Sequence, residues 1–87
     1  MAGGVILFLG RFRELAGGAE RPLPEGAAGA PLSALVSVLS AEDEALAEAL
    51  AHPTTRVCIN QTMLDRGADP LLAETDEVAF LPPMSGG

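Results

Sequence analysis

Val5-Ile6-Leu7-Phe8-Leu9 is apolar at all five positions and follows a lead of small residues, Met1 to Gly4. So short an apolar run reads as a strand, and alternation puts Ile6 and Phe8 on one face, with Val5, Leu7 and Leu9 on the other. A strand apolar on both sides is either central and covered twice, or covered once by its own domain and once by a partner. The chain offers few further elements for a second layer, which favours the partner. The run is far too short to span a membrane and has no basic segment before it, so neither a membrane protein nor a signal peptide is expected, and the expected location is cytoplasmic.

Further along, Val78-Ala79-Phe80-Leu81 repeats the pattern, with Val78 and Phe80 on one face and Ala79 and Leu81 on the other. Arg11 to Gly18 follows the first strand and closes on the turn punctuation Gly17-Gly18. Arg21 to Pro24 reads as a short strand antiparallel to the first, confined to an edge by Pro22 and Pro24. Leu32, Leu35, Val36 and Leu39 have the spacing of an amphipathic helix, with Pro31 in its first turn. A second stripe, Ala45, Leu46, Ala49 and Leu50, is expected to be capped by Ser40 and stopped at His52-Pro53. Arg56 to Asn60 is the next strand, Met63-Leu64 a short one, and Leu71-Leu72 a helical turn. The order β, β, α, β, short β, β predicts an α+β chain of the β-grasp, or ubiquitin-like, class. It is a mixed sheet of about five strands packed on one main helix plus a short second helix. The first and last strands pair in parallel at its centre, because the helix supplies the crossover. The expected core is Ile6, Phe8, Leu35, Leu39, Ile59, Val78 and Phe80. Residues 1–81 form this domain and 82–87 an extended tail.

Composition narrows the function classes. The chain has 87 residues, five arginines, no lysine, 12 acidic residues and a net charge of −7. Nucleic-acid binding needs basic clusters and is disfavoured; a basic partner or cleft is the electrostatic complement. Cys58, between Val57 and Ile59, is the single cysteine and reads as a buried small hydrophobe, leaving no disulfide or cysteine-based metal site. His52 has no nucleophile or carboxylate in a recognisable pattern beside it and reads as a helix-end residue. Asp65, Asp69 and Asp76 lack the spacing of a cation-binding loop and read as solvated turn residues.

What is left is Pro82-Pro83-Met84-Ser85-Gly86-Gly87. The prolines lack an N–H and fix φ, so the strand cannot pair further and the chain leaves it extended, reaching about 20 Å. The glycines allow close approach to another protein's backbone. A carboxylate at Gly87 is a poor electrophile until converted to a mixed anhydride or thioester, and the sequence holds no nucleotide-binding loop to do this, so activation falls to another protein.

Asn60-Gln61-Thr62, the run Asp76 to Gly87 with its Phe-x-Pro-Pro-x-x-Gly-Gly pattern, and Arg13-Glu14-Leu15-Ala16-Gly17 together resemble the small, sulfur-carrying subunit of molybdopterin synthase. The resemblance runs almost the length of the chain, while Glu25 to His52 matches in pattern alone. It implies that an E1-like adenylyltransferase uses ATP to adenylate Gly87. A sulfur donor such as a cysteine desulfurase then supplies the sulfur of a terminal thiocarboxylate. The tail, Pro82, Pro83, Met84, Ser85 and Gly86, enters the large synthase subunit in a 2:2 heterotetramer and delivers sulfur to a cyclic pyranopterin precursor. The chain would then be a non-catalytic sulfurtransferase subunit with no bound cofactor. Val5, Leu7, Leu9, Met63 and Leu81 are the expected apolar contact, with Arg13 at its rim. The same Gly-Gly chemistry also suits a sulfur carrier for thiamine, cysteine or tRNA thiolation, or a ubiquitin-like protein modifier; a non-catalytic interaction module is the third alternative.

Overall fold

In the computed structural model, which describes residues 3–82, five strands form one sheet in the order β2-β1-β5-β3-β4. They are β1 (Val5–Phe8), β2 (Glu20–Pro22), β3 (Arg56–Ile59), β4 (Thr62–Met63) and β5 (Glu77–Leu81). β1 and β5 pair in parallel at the centre, Val5 opposite Glu77 through Phe8 opposite Phe80, while the other pairs are antiparallel. Parallel neighbours need a long crossover, here the whole helical middle. That middle holds α2 (Leu32–Ser40) and α3 (Glu44–Ala51), and a shorter helix, α1 (Arg11–Ala16), follows β1. This is the expected β-grasp, with two comparable helices rather than one dominant one.

The helices cover a single face of the sheet. Ile6, Phe8, Val78 and Phe80 point into a core completed by Phe12, Leu32, Leu35, Leu39, Leu46, Ala49 and Leu72. Phe8 and Phe80 are register partners whose rings stack 6.0 Å apart, and Phe12 meets Phe80 at 6.4 Å. All three aromatic side chains of the protein lie in this cluster. Ile59, expected in the core, packs against it but is only partly buried.

Several local expectations give way to specific hydrogen bonds. Arg11 to Gly18, for which the sequence indicates only a closing turn, contains the helix α1: Phe12, Leu15 and Ala16 turn toward the core, and Gly17 ends it in the left-handed region at φ 81°. Gly17 N–H donates to Glu14 O and Gly18 N–H to Arg13 O, a Schellman-type ending, so the glycine pair is a helix stop. Ser40 does not cap α3 but ends α2; the cap is Asp43, whose carboxylate accepts from Ala45 N–H at 3.0 Å. A carboxylate in that position also opposes the positive end of the helix. Leu71-Leu72 is extended rather than helical, because Leu72 donates to Ala30 O and accepts from Gly29 N–H in the loop before α2. β2 starts at Glu20 and ends at Pro22, shifted from the expected Arg21–Pro24.

Two of the three aspartates expected to be solvated hold the fold together. Asp69 accepts from Ser33 N–H and Ser33 Oγ, both at 2.7 Å, and so caps α2 from a remote segment where Pro31 cannot. Asp76 accepts from Ala73 N–H at 2.8 Å and from Asn60 Nδ2 at 2.8 Å. Asn60 also accepts from Glu77 N–H through Oδ1, and its own N–H donates to Glu77 O. Asn60 and Gln61, at φ 51° and 69°, form the two-residue turn between β3 and β4. Positive φ at both positions is the type I′ pattern that matches strand twist. The Asn-Gln-Thr motif therefore turns a hairpin and clamps the start of β5.

Candidate tail base and docking face

β5 is the central strand, bonded to β1 on one side and β3 on the other, and it ends at Leu81 with Pro82 next. Proline can offer no N–H to a neighbour, so the ladder stops there. Leu9 N–H still donates to Phe80 O at 3.2 Å, and Arg56 stands opposite Leu81, so the strand is supported on both sides up to its last residue. Pro82 is half-buried; its ring lies against Gly10 and lines a small hollow with Arg11, Phe12, Ala49, His52 and Thr55. Pro82 therefore sits between the start of α1 and the end of α3. Pro83, Met84, Ser85, Gly86 and Gly87 lie outside the described residues.

The second face of the sheet carries no helix. Register places Glu20, Leu7, Ala79, Cys58 and Met63 in one row across all five strands. Because Ile6, Phe8, Val78 and Phe80 occupy the core side, this row points the other way. Val5, Leu9 and Leu81 share its side, and none of Val5, Leu7, Leu9, Cys58, Met63 or Leu81 belongs to the core cluster. Leu9 is 39% exposed and Met63 48%; Val5, Leu7 and Leu81 are half-buried. Glu77, Glu20 and Arg56 border this apolar patch, giving an apolar centre with a charged rim, the anatomy of an interface.

Five of the expected contact residues, Val5, Leu7, Leu9, Met63 and Leu81, thus share one face that reaches the point where the stem departs. Arg13 does not join them: it is exposed on α1, one residue past the buried Phe12, on the helical side of the sheet. Cys58, expected to be buried, is only partly covered and stands in the open row between Ala79 and Met63. Strand alternation would have predicted this, since Val57 and Ile59 face the core. The sequence expectations also passed over Gly10, whose φ of 56° and contact with Pro82 appear only in three dimensions.

His52 ends α3, and its Nδ1 accepts from Thr54 N–H at 3.2 Å and lies 2.7 Å from Thr54 Oγ1, a local turn contact. Among the described residues no three His, Cys, Asp or Glu side chains gather as a metal site would require. No helix among them is long and apolar enough to cross a membrane.

No curated protein matches the chain. Among solved structures it is similar to the small archaeal modifier protein SAMP1 of Methanosarcina acetivorans, with 26% identity, a TM-score of 0.80, and coverage of 100% of this chain and 98% of that one. SAMP1 of Haloferax volcanii shares the fold at 21% identity and a TM-score of 0.75, over 99% and 100% of the two chains. So does a Pyrococcus furiosus protein provisionally assigned as molybdopterin converting factor subunit 1, at 23% identity and a TM-score of 0.70, over 97% and 100%. The ThiS family model matches residues 6–87, from β1 through the tail, and the chain belongs to the ThiS family of ubiquitin-like β-grasp proteins.

Proposed function

We propose that this chain is the sulfur-carrier subunit of a molybdopterin synthase, acting in the cytoplasm. The observation that carries the reading is the placement of the stem. The central strand of the sheet ends at Leu81, with Pro82 next and an uncovered apolar face beside it, so docking that face would aim the tail into the same partner. The Phe-x-Pro-Pro-x-x-Gly-Gly pattern supports the molybdopterin type among carriers.

In this scheme an E1-like enzyme converts Gly87 to an acyl adenylate, with pyrophosphate leaving from ATP. A persulfide sulfur then displaces AMP, and reductive cleavage of the resulting acyl disulfide by a thiol leaves the thiocarboxylate. The large synthase subunit receives the tail, the thiocarboxylate sulfur attacks the pyranopterin precursor, and hydrolysis returns the carboxylate. This chain contributes an unhindered carbonyl at Gly87, a stem that admits no side-chain clash at Gly86, and the docking face; the reacting acids and bases are the partners'. Incubation with an adenylating enzyme, ATP and a sulfur donor, followed by intact-mass spectrometry, tests the first half. The expected result is one oxygen-to-sulfur exchange at Gly87, lost on adding the large subunit and the precursor. No exchange refutes the carrier role.

A second reading is favoured by the likeness to the Methanosarcina modifier: transfer of the activated Gly87 carbonyl to lysines of other proteins. Isopeptide-linked adducts recovered by mass spectrometry from cells expressing the chain would support it, and their absence alongside sulfur transfer would exclude it.

A further inference from the structure

We propose that Gly10 is a positioning residue for the tail: it forms the seat on which the Pro82 ring rests and sets the direction in which the stem leaves the sheet. The inference rests on the sulfur-carrier reading above and adds to it a residue in the body of the fold. Two independent features of position 10 support it. Its backbone lies at φ 56° and ψ −133°, close to a region essentially reserved for glycine. Separately, a Cβ built on Gly10 would come within 2.7 Å of Pro82 Cγ, with Cδ and Cβ of the same ring at 3.4 and 3.9 Å. Carbon atoms in contact prefer about 3.5–4.0 Å, so a methyl group here forces a retreat of about 1 Å.

The stem is what has to move. Gly10 is held between Leu9, whose N–H donates to Phe80 O, and α1, where Arg13 N–H donates to Gly10 O at 3.1 Å. Phe12 then anchors α1 in the core at 1% exposure. Pro82 has passed the end of the ladder and offers no N–H to hold it. Pro82 also lines a small hollow with Arg11, Phe12, Ala49, His52 and Thr55, which leaves its ring room to shift. A shift at Pro82 moves the point from which the remaining residues of the tail start. Gly87 must meet a reacting phosphate in a partner's site, where about 1 Å of misplacement can cost as much as about a hundredfold in rate.

The test compares the full-length wild type, Gly10→Ala, Pro82→Ala and the double variant. Each is charged by a purified adenylating enzyme with ATP and a sulfur donor, and kcat and KM are determined separately from the thiocarboxylate formed. The expected result for Gly10→Ala is a fall in kcat of about tenfold or more, with KM unchanged because the open sheet face is intact. Pro82→Ala removes the ring that the seat holds, so it should itself lower kcat, and adding Gly10→Ala to it should cost little more in the double variant. A loss of stability alone would not split kcat from KM, nor depend on the ring at position 82. Unchanged kcat in Gly10→Ala, or a double variant whose loss is the product of the two single losses, overturns the inference. A magnetic-resonance measurement on the uncharged wild type needs no partner: an NOE between Gly10 Hα and the Pro82 ring protons is expected, and its absence overturns the seat. If the NOE is present but no variant, wild type included, accepts sulfur, the seat stands as geometry and both the carrier reading and the positioning role built on it fall.

Discussion

If the open sheet face is where a partner docks, exposure alone should not decide which apolar side chains matter. Leu9 and Met63 lie on that face, 39% and 48% exposed, whereas Val38 on α2 and Leu71 before β5 are 52% and 69% exposed on the other side. Complete burial of such a side chain is worth about 1.5–3 kcal/mol, so the share left for a partner to cover comes to about 1 kcal/mol for Leu9 and a similar amount for Met63. Leu9→Ala and Met63→Ala should therefore each weaken binding to the large subunit about fivefold. The end of β1 and β4 are three strand steps apart, about 14 Å, so the two losses should add to about 2 kcal/mol, roughly thirtyfold. Val38 and Leu71 are no less exposed in the free protein, yet Val38→Ala and Leu71→Ala should leave Kd unchanged. Isothermal titration with the purified large subunit measures all five variants, and urea unfolding checks that each remains folded. Equal weakening by the helical-side pair, or an unchanged Kd for Leu9→Ala with Met63→Ala combined, would refute the docking face.

Three further outcomes follow from the structure. Cys58 stands in the same outward row, so its alkylation by a small maleimide should slow when the large subunit is bound; an unchanged rate places the interface elsewhere. Asp69→Ala should lower stability by about 2 kcal/mol by removing both bonds to Ser33, and Ser33→Ala by about 1 kcal/mol by removing the hydroxyl bond alone. The double variant should then lose about 2 rather than 3 kcal/mol in urea unfolding, and simple additivity would mean the two do not interact. Gln61→Gly completes the Asn-Gly pair that a type I′ turn prefers: relief of about 1–2 kcal/mol of left-handed strain, less about 0.4–1 kcal/mol for a looser unfolded chain, should leave a net gain of about 0.5 kcal/mol in urea unfolding. A loss of stability would show that the Gln61 side chain contributes beyond its backbone.

The features legible in the sequence were those with a period. Alternation in Val5–Leu9 and Val78–Leu81 set the two central strands and their faces, and the stripe Leu32, Leu35, Leu39 set α2. What escaped was what depends on partners remote in sequence. Asp69 has the look of any turn aspartate until Ser33, 36 residues away, is brought to it. Leu71-Leu72 has no periodicity to read, and only the exchange of hydrogen bonds between Leu72 and the Gly29–Ala30 backbone makes it extended. α1 was within reach: Phe12, Leu15 and Ala16 have helical spacing and Gly17 the position of a left-handed stop, but six residues give a weak signal. The apolar neighbours of Cys58 suggest burial, but strand alternation puts it on the opposite face from both.

These local devices converge on β5, and this matters for a chain whose reactive group is proposed to lie at its end. A carrier tail must be extended enough to enter a partner and yet start from a base whose direction does not wander. Local opening begins where the backbone is least bonded, and terminal strands at a sheet edge are the usual victims. Here the last strand is central. Asn60 and Asp76 clamp its start, β1 and β3 bond it on both sides, and Phe80 is locked between Phe8 and Phe12. Freeing the strand through Phe80 would mean breaking pairings on both sides and uncovering the aromatic cluster. The sheet's hold on the chain ends at the step from Leu81 to Pro82, where the proline stops the ladder and its ring lies against Gly10. Leu81, the residue before Pro82, thus belongs to the strand whose displacement the fold resists most, which is what the proposed carrier role requires of the tail's base.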